Sequence, residues 1–179
     1  METISAGSQT KGVYAQVVLS IVASFYFVYY ASTTYEWHFI DNVNLLIHEA
    51  GHVIFMPFGL FLYLLGGSLF QIVFPGAFVV YFYRQKQYLS ASLILFWVAL
   101  NILNVSVYAS DAVVMQLPLL GGDSSMHDWH AILGMLHLLP QTDQIGTGMY
   151  VTGLMVGFVA AYFSFAVSLR SKSQKEKTA

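Results

Sequence analysis

Long apolar runs with almost no charge dominate this chain of 179 residues. Hydrophobic residues make up 57% of it and charged residues only 9%, whereas a soluble domain carries about 25% charged residues. The same composition excludes a disordered chain, which is poor in apolar residues. A net charge of −2 argues against a nucleic-acid partner. The sequence therefore predicts a small integral membrane protein whose main partner is the lipid bilayer.

The apolar runs predict an all-α membrane protein in a single domain, with a bundle of four to five transmembrane helices. The predicted spans are residues 13–31, 40–64, 88–107 and 148–169. Each is long enough to cross a bilayer, because a helix rises about 1.5 Å per residue.

Three further segments complete the predicted architecture. Residues 68–83 follow Gly66-Gly67 and contain Pro75, which predicts a short or re-entrant segment covered by protein. Residues 128–139 predict a short interfacial helix, and residues 170–179 form a basic tail.

Charges are segregated along the chain, and this predicts its topology. Seven of the nine acids and all six histidines lie between residues 36 and 143, where Arg84 and Lys86 are the only basic residues. Short basic loops stay in the cytoplasm. Four crossings place Lys11, this basic pair and the C-terminal tail on one side, whereas five crossings place Lys11 on the other. We expect four crossings, a cytoplasmic C-terminus and a bacterial plasma membrane.

One short motif carries the chemistry, since residues 48–52 read His-Glu-Ala-Gly-His. On a helix, His48 and His52 share a face, and two imidazoles at that spacing can bind one tetrahedral Zn²⁺. Glu49 is then close enough to act as general base on water at the metal. Gly51 lets another backbone approach closely. The alternative is that both histidines only hydrogen-bond neighbouring helices.

A catalytic zinc needs a third protein ligand, and the sequence offers three candidates. Asp111 follows the third apolar run, and His127 and His130 lie a short distance downstream. Asp128 can cap the short helix or orient one of these histidines. If Asp111 and His127 both joined the motif histidines, they would close the tetrahedron, which argues for a structural or regulated metal.

The motif and its surroundings resemble the site-2 protease family of intramembrane zinc metalloproteases. The resemblance rests on His48-Glu49-x-x-His52, the glycine-marked segments Pro57-Phe58-Gly59 and Gly66-Gly67, and Asn101-x-x-Asn104 ahead of Asp111. It implies that the two histidines and Asp111 hold zinc and that Glu49 activates water. It also implies that Asn101 or Asn104 anchors the substrate strand.

These observations predict a membrane-embedded zinc-dependent hydrolase, in the first place an intramembrane metallopeptidase acting on a membrane-embedded peptide. A lipid-like amide or ester is the alternative substrate. A non-enzymatic metal-binding or metal-transport protein and a structural membrane subunit are the alternative functions. Glu49 separates them, because hydrolysis needs its carboxylate and metal binding by histidines does not. Gly153 and Gly157 predict close helix packing, within the protein or in a homo-oligomer.

Overall fold

Six α-helices make up the regular structure of the residues that the computed structural model describes, 6–117 and 127–176. They are α1 (Ala6–Ser32), α2 (Phe39–Phe55), α3 (Leu60–Arg84), α4 (Tyr88–Ser110), α5 (Asp128–Met135) and α6 (Thr142–Glu176). Short 3-10 turns, Met56–Phe58 and Leu139–Gln141, precede α3 and α6. The end of the predicted basic tail, residues 177–179, lies outside the described residues.

Four segments are long and apolar enough to cross a membrane, as predicted. They are Gly12–Ser32, Leu60–Arg84, Tyr88–Ser110 and Leu139–Arg170. The predicted spans over residues 13–31, 88–107 and 148–169 fall within three of them. The prediction of an all-helical chain with four such helices is therefore confirmed.

The boundaries predicted for the second apolar block are wrong. The structure has neither a span over residues 40–64 nor a short or re-entrant segment over 68–83. The helix break falls at Pro57 to Gly59, where a 3-10 turn ends in a glycine with φ of 92°. α3 then runs unbroken from Leu60 to Arg84, with Pro75 inside it. The short element of this block is therefore α2, which precedes the long helix.

The long helices are arranged so that the basic parts of the chain share one end of the bundle. Ser20 of α1 hydrogen-bonds Ser168 of α6 over 3.3 Å, and Gly146 at the start of α6 packs on Ser110 at the end of α4. α1 and α4 are therefore both antiparallel to α6. The turn between α3 and α4, which carries Lys86, therefore lies at the same end of the bundle as the N-terminus of α1 and the C-terminus of α6.

α2 begins and ends at the opposite end of the bundle. Tyr30 near the end of α1 donates a 2.7 Å hydrogen bond to Asp41 in the first turn of α2. The last turn of α2 lies one short connection before the start of α3, and the two helices pack closely. A Cβ atom at Gly51 would lie 2.8 Å from the carbonyl carbon of Gly66. The predicted close backbone approach at Gly51 is therefore confirmed.

Two apolar clusters hold the bundle together. One joins α1, α4 and α6 and includes Phe27 and Leu103. Gly153 and Gly157 face these two side chains, so their predicted close packing occurs within the chain. The other cluster docks α5 on α3 and α4 through Trp129 and its neighbours. α5 ends at Met135, earlier than the predicted helix over residues 128–139, and two residues later His137 adopts a positive φ of 57°.

Candidate metal site

α2 places the motif residues together on one wall of a cavity. His48 and His52 lie one helical turn apart on the same face, and both are buried. One ligand atom from each of His48, Glu49 and His52 lies within 4.8 Å of the others, so this group could hold a metal ion. All three side chains line the cavity, and Glu49 is exposed whereas the two histidines are mostly buried. The predicted juxtaposition of the three side chains is therefore confirmed.

The carboxylate that completes this cluster belongs to Asp128. Its Oδ2 atom lies 3.2 Å from Nε2 of His48 and 3.2 Å from Nε2 of His52. Two ligands on a tetrahedral Zn²⁺, with bonds of about 2.0–2.1 Å, are about 3.3 Å apart. Both nitrogen–oxygen distances thus match the spacing of two ligands on one metal ion. Asp128, predicted as a capping or orienting carboxylate, contacts the motif histidines directly.

The second ring nitrogen of each motif histidine has its own acceptor. His52 donates from Nδ1 to the backbone carbonyl of Tyr63 over 2.7 Å, and a carbonyl can only accept. Nδ1 of His48 lies 3.1 Å from Oε1 of Gln71 in α3. Partners of this kind fix the tautomer of metal-binding histidines. In each neutral ring, Nε2 is therefore the nitrogen without a proton.

Positive charge is needed where the two Nε2 atoms meet Asp128. Burial disfavours the ionised form of this carboxyl, but hydrogen bonds from His48 and His52 outweigh burial and lower the pKa of Asp128 to about 2. Burial likewise opposes charge on His52, but the hydrogen bonds to Asp128 and to the Tyr63 carbonyl, together with the nearby charges of Asp128 and Glu49, outweigh burial and raise the pKa of His52. The site stabilises cations between these atoms, either protons on the imidazoles or a metal ion. The donor set of two imidazoles and one carboxylate fits Zn²⁺.

α5 and α4 hold the Asp128 side chain in place. Tyr108 of α4 donates from its hydroxyl to Oδ2 of Asp128 over 3.3 Å and accepts the backbone N–H of the same residue over 3.1 Å. Trp129, the next residue, donates its indole N–H to Ser68 of α3 over 3.1 Å. All three hydrogen bonds are buried or partly buried, so they fix the start of α5 against α3 and α4.

A cavity of about 400 Å³ lies against this cluster. Its wall includes the exposed Glu49, the aromatic rings of Tyr63 and Tyr108, and the loop between α1 and α2 with Glu36 and Trp37. Cavities of about 300–1,000 Å³ accommodate small molecules or short peptide segments. A substrate carbonyl placed here would have both the histidine–aspartate cluster and a carboxylate base beside it.

Asp111 and His127, the other predicted ligands, pair with each other. Oδ2 of Asp111 lies 3.3 Å from Nε2 of His127. Nδ1 of His127 accepts the backbone N–H of His130, so the neutral ring carries its proton on Nε2 and donates it to Asp111. Burial lowers the pKa of His127, which favours this neutral form. Within the described part of the chain, neither residue contacts a motif histidine.

Asp111 and His130 hold residues 112–117, which follow α4, in place. The Asp111 carboxylate accepts the backbone N–H groups of Gln116 and Leu117, each over 2.9 Å. His130 donates from Nδ1 to the carbonyl of Ala112 over 2.8 Å. In the described residues, these contacts tie the end of α4 to the start of α5. They position Asp128 from a distance.

The two predicted polar anchors occupy different surroundings. Asn104 lines the cavity and accepts a 2.8 Å hydrogen bond from Nε2 of Gln71. Asn101 is fully buried and donates to the carbonyl of Trp97 in its own helix. It is not part of the cavity wall. Gln71 and Tyr108 were not predicted as site residues, although a glutamine inside an apolar run is itself a signal of a polar partner.

No family model, curated protein or solved structure matches this chain in comparisons with known proteins.

Proposed function

We propose that this protein is a membrane-embedded zinc-dependent hydrolase, in the first place an intramembrane metallopeptidase. One observation carries the proposal. The Nε2 atoms of His48 and His52, with both Nδ1 atoms engaged elsewhere, face one oxygen of Asp128 at 3.2 Å, beside the exposed Glu49. The motif predicted a zinc hydrolase, and this geometry supports it with a third donor.

His48, His52 and Asp128 are the residues that would hold the metal. Three protein ligands leave one position open, which is the arrangement of catalytic rather than structural zinc. Zinc held by these three residues would lower the pKa of a water molecule towards 7 and would polarise a substrate carbonyl. Asp128 is the anionic member of the set, and Tyr108 keeps its Oδ2 atom aimed at the two imidazoles.

Glu49 is the group that would move the proton. Its carboxylate is exposed to the cavity and lies next to the histidine nitrogens, so water and a substrate can both reach it. It accepts the proton from the water that attacks the carbonyl and returns it to the leaving group. For a peptide substrate, the leaving group is the amine of the cleaved bond.

The membrane location rests on four long apolar helices and on the distribution of charge. Large apolar side chains point away from the bundle, among them Phe25, which is 75% exposed, and Tyr162, which is 69% exposed. Such surfaces suit contact with lipid. The end of the bundle with Arg84 and Lys86 would face the cytoplasm. The metal site then lies in the other half of the bilayer.

The test combines zinc content with hydrolysis by protein reconstituted in liposomes. The probes are quenched fluorescent peptides that carry a membrane segment and, separately, fluorogenic lipid amides and esters. We expect about one zinc per chain in the parent protein and in Glu49→Gln, with hydrolysis by the parent but not by Glu49→Gln. Glu36→Gln is the matched control, because it changes another glutamate of the same cavity and should keep both zinc and activity.

Each result of this test has a definite meaning. Cleavage of the peptides supports a peptidase, and cleavage of the lipids alone assigns the lipid-like substrate. Hydrolysis that persists in Glu49→Gln contradicts the assigned base. A parent protein that takes up no zinc, even when zinc is supplied, contradicts the metal site itself.

A further inference from the structure

A chain of three side-chain hydrogen bonds connects Asp41, at the start of α2, to the metal-site residue His48. Asn104 of α4 donates from Nδ2 to Oδ1 of Asp41 over 3.2 Å. Gln71 of α3 donates from Nε2 to Oδ1 of Asn104 over 2.8 Å. Oε1 of Gln71 then lies 3.1 Å from Nδ1 of His48. The chain runs through the interior, since Asp41 and Gln71 are each only 2% exposed.

The carboxylate of Asp41 gives this chain a single direction. An ionised carboxylate only accepts, so Asn104 must turn its NH₂ group towards it. The amide oxygen of Asn104 then faces Gln71 and requires that residue to present its own NH₂ group. Gln71 is left with its oxygen towards His48, whose Nδ1 must therefore carry the proton.

Asp41 is itself surrounded by donors. Its Oδ2 atom accepts the backbone N–H of His38 over 2.8 Å, and Oδ1 accepts the hydroxyl of Tyr30 over 2.7 Å. Nδ2 of Asn44 lies 3.3 Å from the same Oδ1 atom. Both oxygens of the carboxylate are therefore used as acceptors. It is a fixed acceptor at the far end of the chain.

We propose that Asp41 is a positioning residue for the metal site, which acts through Asn104 and Gln71 to keep the proton of His48 on Nδ1. Its effect is to leave Nε2 of His48 free to bind a metal ion. This inference rests on the proposed zinc site and adds a residue that does not touch the metal. His52 is outside the chain, because the backbone carbonyl of Tyr63 sets its tautomer.

The substitution Asp41→Asn should reverse the donor and acceptor roles along this chain of hydrogen bonds, without a large change in the shape of the side chain. Asparagine has one acceptor oxygen, and the N–H of His38 takes it to cap α2. The hydroxyl of Tyr30 can then accept from the new NH₂ group, and Asn44 loses its 3.3 Å contact. The NH₂ group then faces Asn104, which turns its oxygen towards position 41, and Gln71 turns in the same way. The NH₂ group of Gln71 now faces His48, so the ring places its proton on Nε2. We expect zinc affinity to fall about tenfold, as partners of metal-binding histidines affect affinity by 10- to 100-fold.

A second substitution should repair the first. In Asp41→Asn combined with Gln71→Glu, the carboxylate at position 71 accepts both from Asn104 in its turned orientation and from Nδ1 of His48. Zinc affinity should return to near that of the parent. The gain must exceed any change that Gln71→Glu alone causes in the parent, which separates repair of the chain from a general effect of added negative charge.

The experiment measures the zinc affinity of the whole chain in detergent by competition with a chromophoric chelator. The thermal unfolding midpoint of each variant is measured alongside, to check that the variant folds. Loss in Asp41→Asn and recovery in the double variant support the proposal. Unchanged affinity in Asp41→Asn, or a loss that Gln71→Glu does not repair, overturns it. If Asp41→Asn does not fold, Asn104→Leu cuts the chain while Asp41 keeps its contacts with Tyr30 and His38, and the same repair is tested there. If the parent binds zinc and these variants have the same zinc affinity, only the role of Asp41 is overturned. If the parent binds no zinc, the proposed function is overturned.

Discussion

Gly67 of α3 faces the ring nitrogen of His52 that points into the candidate metal site. A Cβ atom at Gly67 would lie 2.7 Å from Nε2 of His52 and 2.5 Å from Nε2 of His48. The backbone of α3 is therefore one wall of the site. Because contacts this short are forbidden for a real Cβ, no side chain fits at position 67 while both rings keep their places.

Replacing Gly67 with alanine should abolish zinc binding while most of the fold is retained. The added methyl group occupies the space beside both Nε2 atoms, so the two rings cannot converge on Asp128. We expect the zinc content of purified Gly67→Ala to fall from about one per chain to a small fraction of that. Elemental analysis of the detergent-purified protein measures it.

Gly76→Ala is the matched control for this substitution. Gly76 lies in the same helix, and a Cβ atom there would meet nothing within 4 Å. Zinc content should be unchanged, and stability should change by no more than about 1 kcal/mol, the difference in helix propensity between the two residues. Full zinc binding by Gly67→Ala would contradict the described positions of the two rings.

Asp128→Ala should remove zinc, whereas Asp111→Ala and His127→Ala should keep it. Asp128 is the carboxylate at 3.2 Å from both motif nitrogens, and Asp111 pairs with His127 instead. The three variants are compared by elemental analysis and by competition for zinc with a chelator. Zinc that survives in Asp128→Ala but is lost in Asp111→Ala would assign the third ligand to Asp111.

Tyr108→Phe should weaken zinc binding without removing it. The substitution deletes one hydroxyl, which both donates to Oδ2 of Asp128 and accepts its backbone N–H. We expect zinc affinity to fall about tenfold, in line with the loss of other groups that orient metal ligands. Tyr162→Phe, on the exposed face of α6, is the control and should match the parent in chelator competition. Equal affinities in both variants would exclude this role of Tyr108.

Gly51→Ala should destabilise the protein through the contact between α2 and α3. The new methyl group would meet the backbone of Gly66, which cannot move aside as the end of a side chain can. Overpacking of this kind costs about 1–3 kcal/mol in the free energy of unfolding. Denaturation in detergent micelles measures the change, with Gly148→Ala as a control in open space. A stability equal to that of the control would contradict the close packing of the two helices.

Local spacing and charge were sufficient to predict part of this structure. His48 and His52 share a face of α2 because a helix repeats every 3.6 residues, whatever the helix packs against. The basic end of the bundle follows from the positions of Arg84, Lys86 and the C-terminal lysines between or after the apolar runs. Both features depend only on residues near one another in the sequence.

The break in the second apolar block could not be assigned in this way. Pro57 to Gly59 and Gly66-Gly67 are equally good signals for the end of a helix when read alone. In the structure only the segment from Pro57 to Gly59 ends a helix, since Gly59 adopts a positive φ. Gly66 and Gly67 are instead required by the close approach of α2, and such packing is a tertiary property.

The sequence also could not predict which aspartate lies beside the two histidines of the candidate site. Asp111 follows an apolar run and Asp128 follows a polar loop, and the sequence offers no measure of the distance of either from His48. Asp128 reaches the site because Trp129 and Tyr108 dock α5 on α3 and α4. His127 precedes it as a cap of α5, and the direction of its hydrogen bonds emerges only from the geometry. The chain of hydrogen bonds through Gln71 joins α2, α3 and α4, so no local pattern in the sequence indicates it.

The position of α5 late in the chain also orders the assembly of the proposed metal centre during synthesis. The ribosome adds about 5–20 residues per second. The two histidines of α2 are made well before Asp128, because the whole of α3 and α4 lies between them. A nascent chain that has not yet reached α5 thus carries both imidazoles and Glu49 but lacks Asp128. In the proposed zinc site the third ligand is the last to be made, so tight zinc binding would follow the docking of α5.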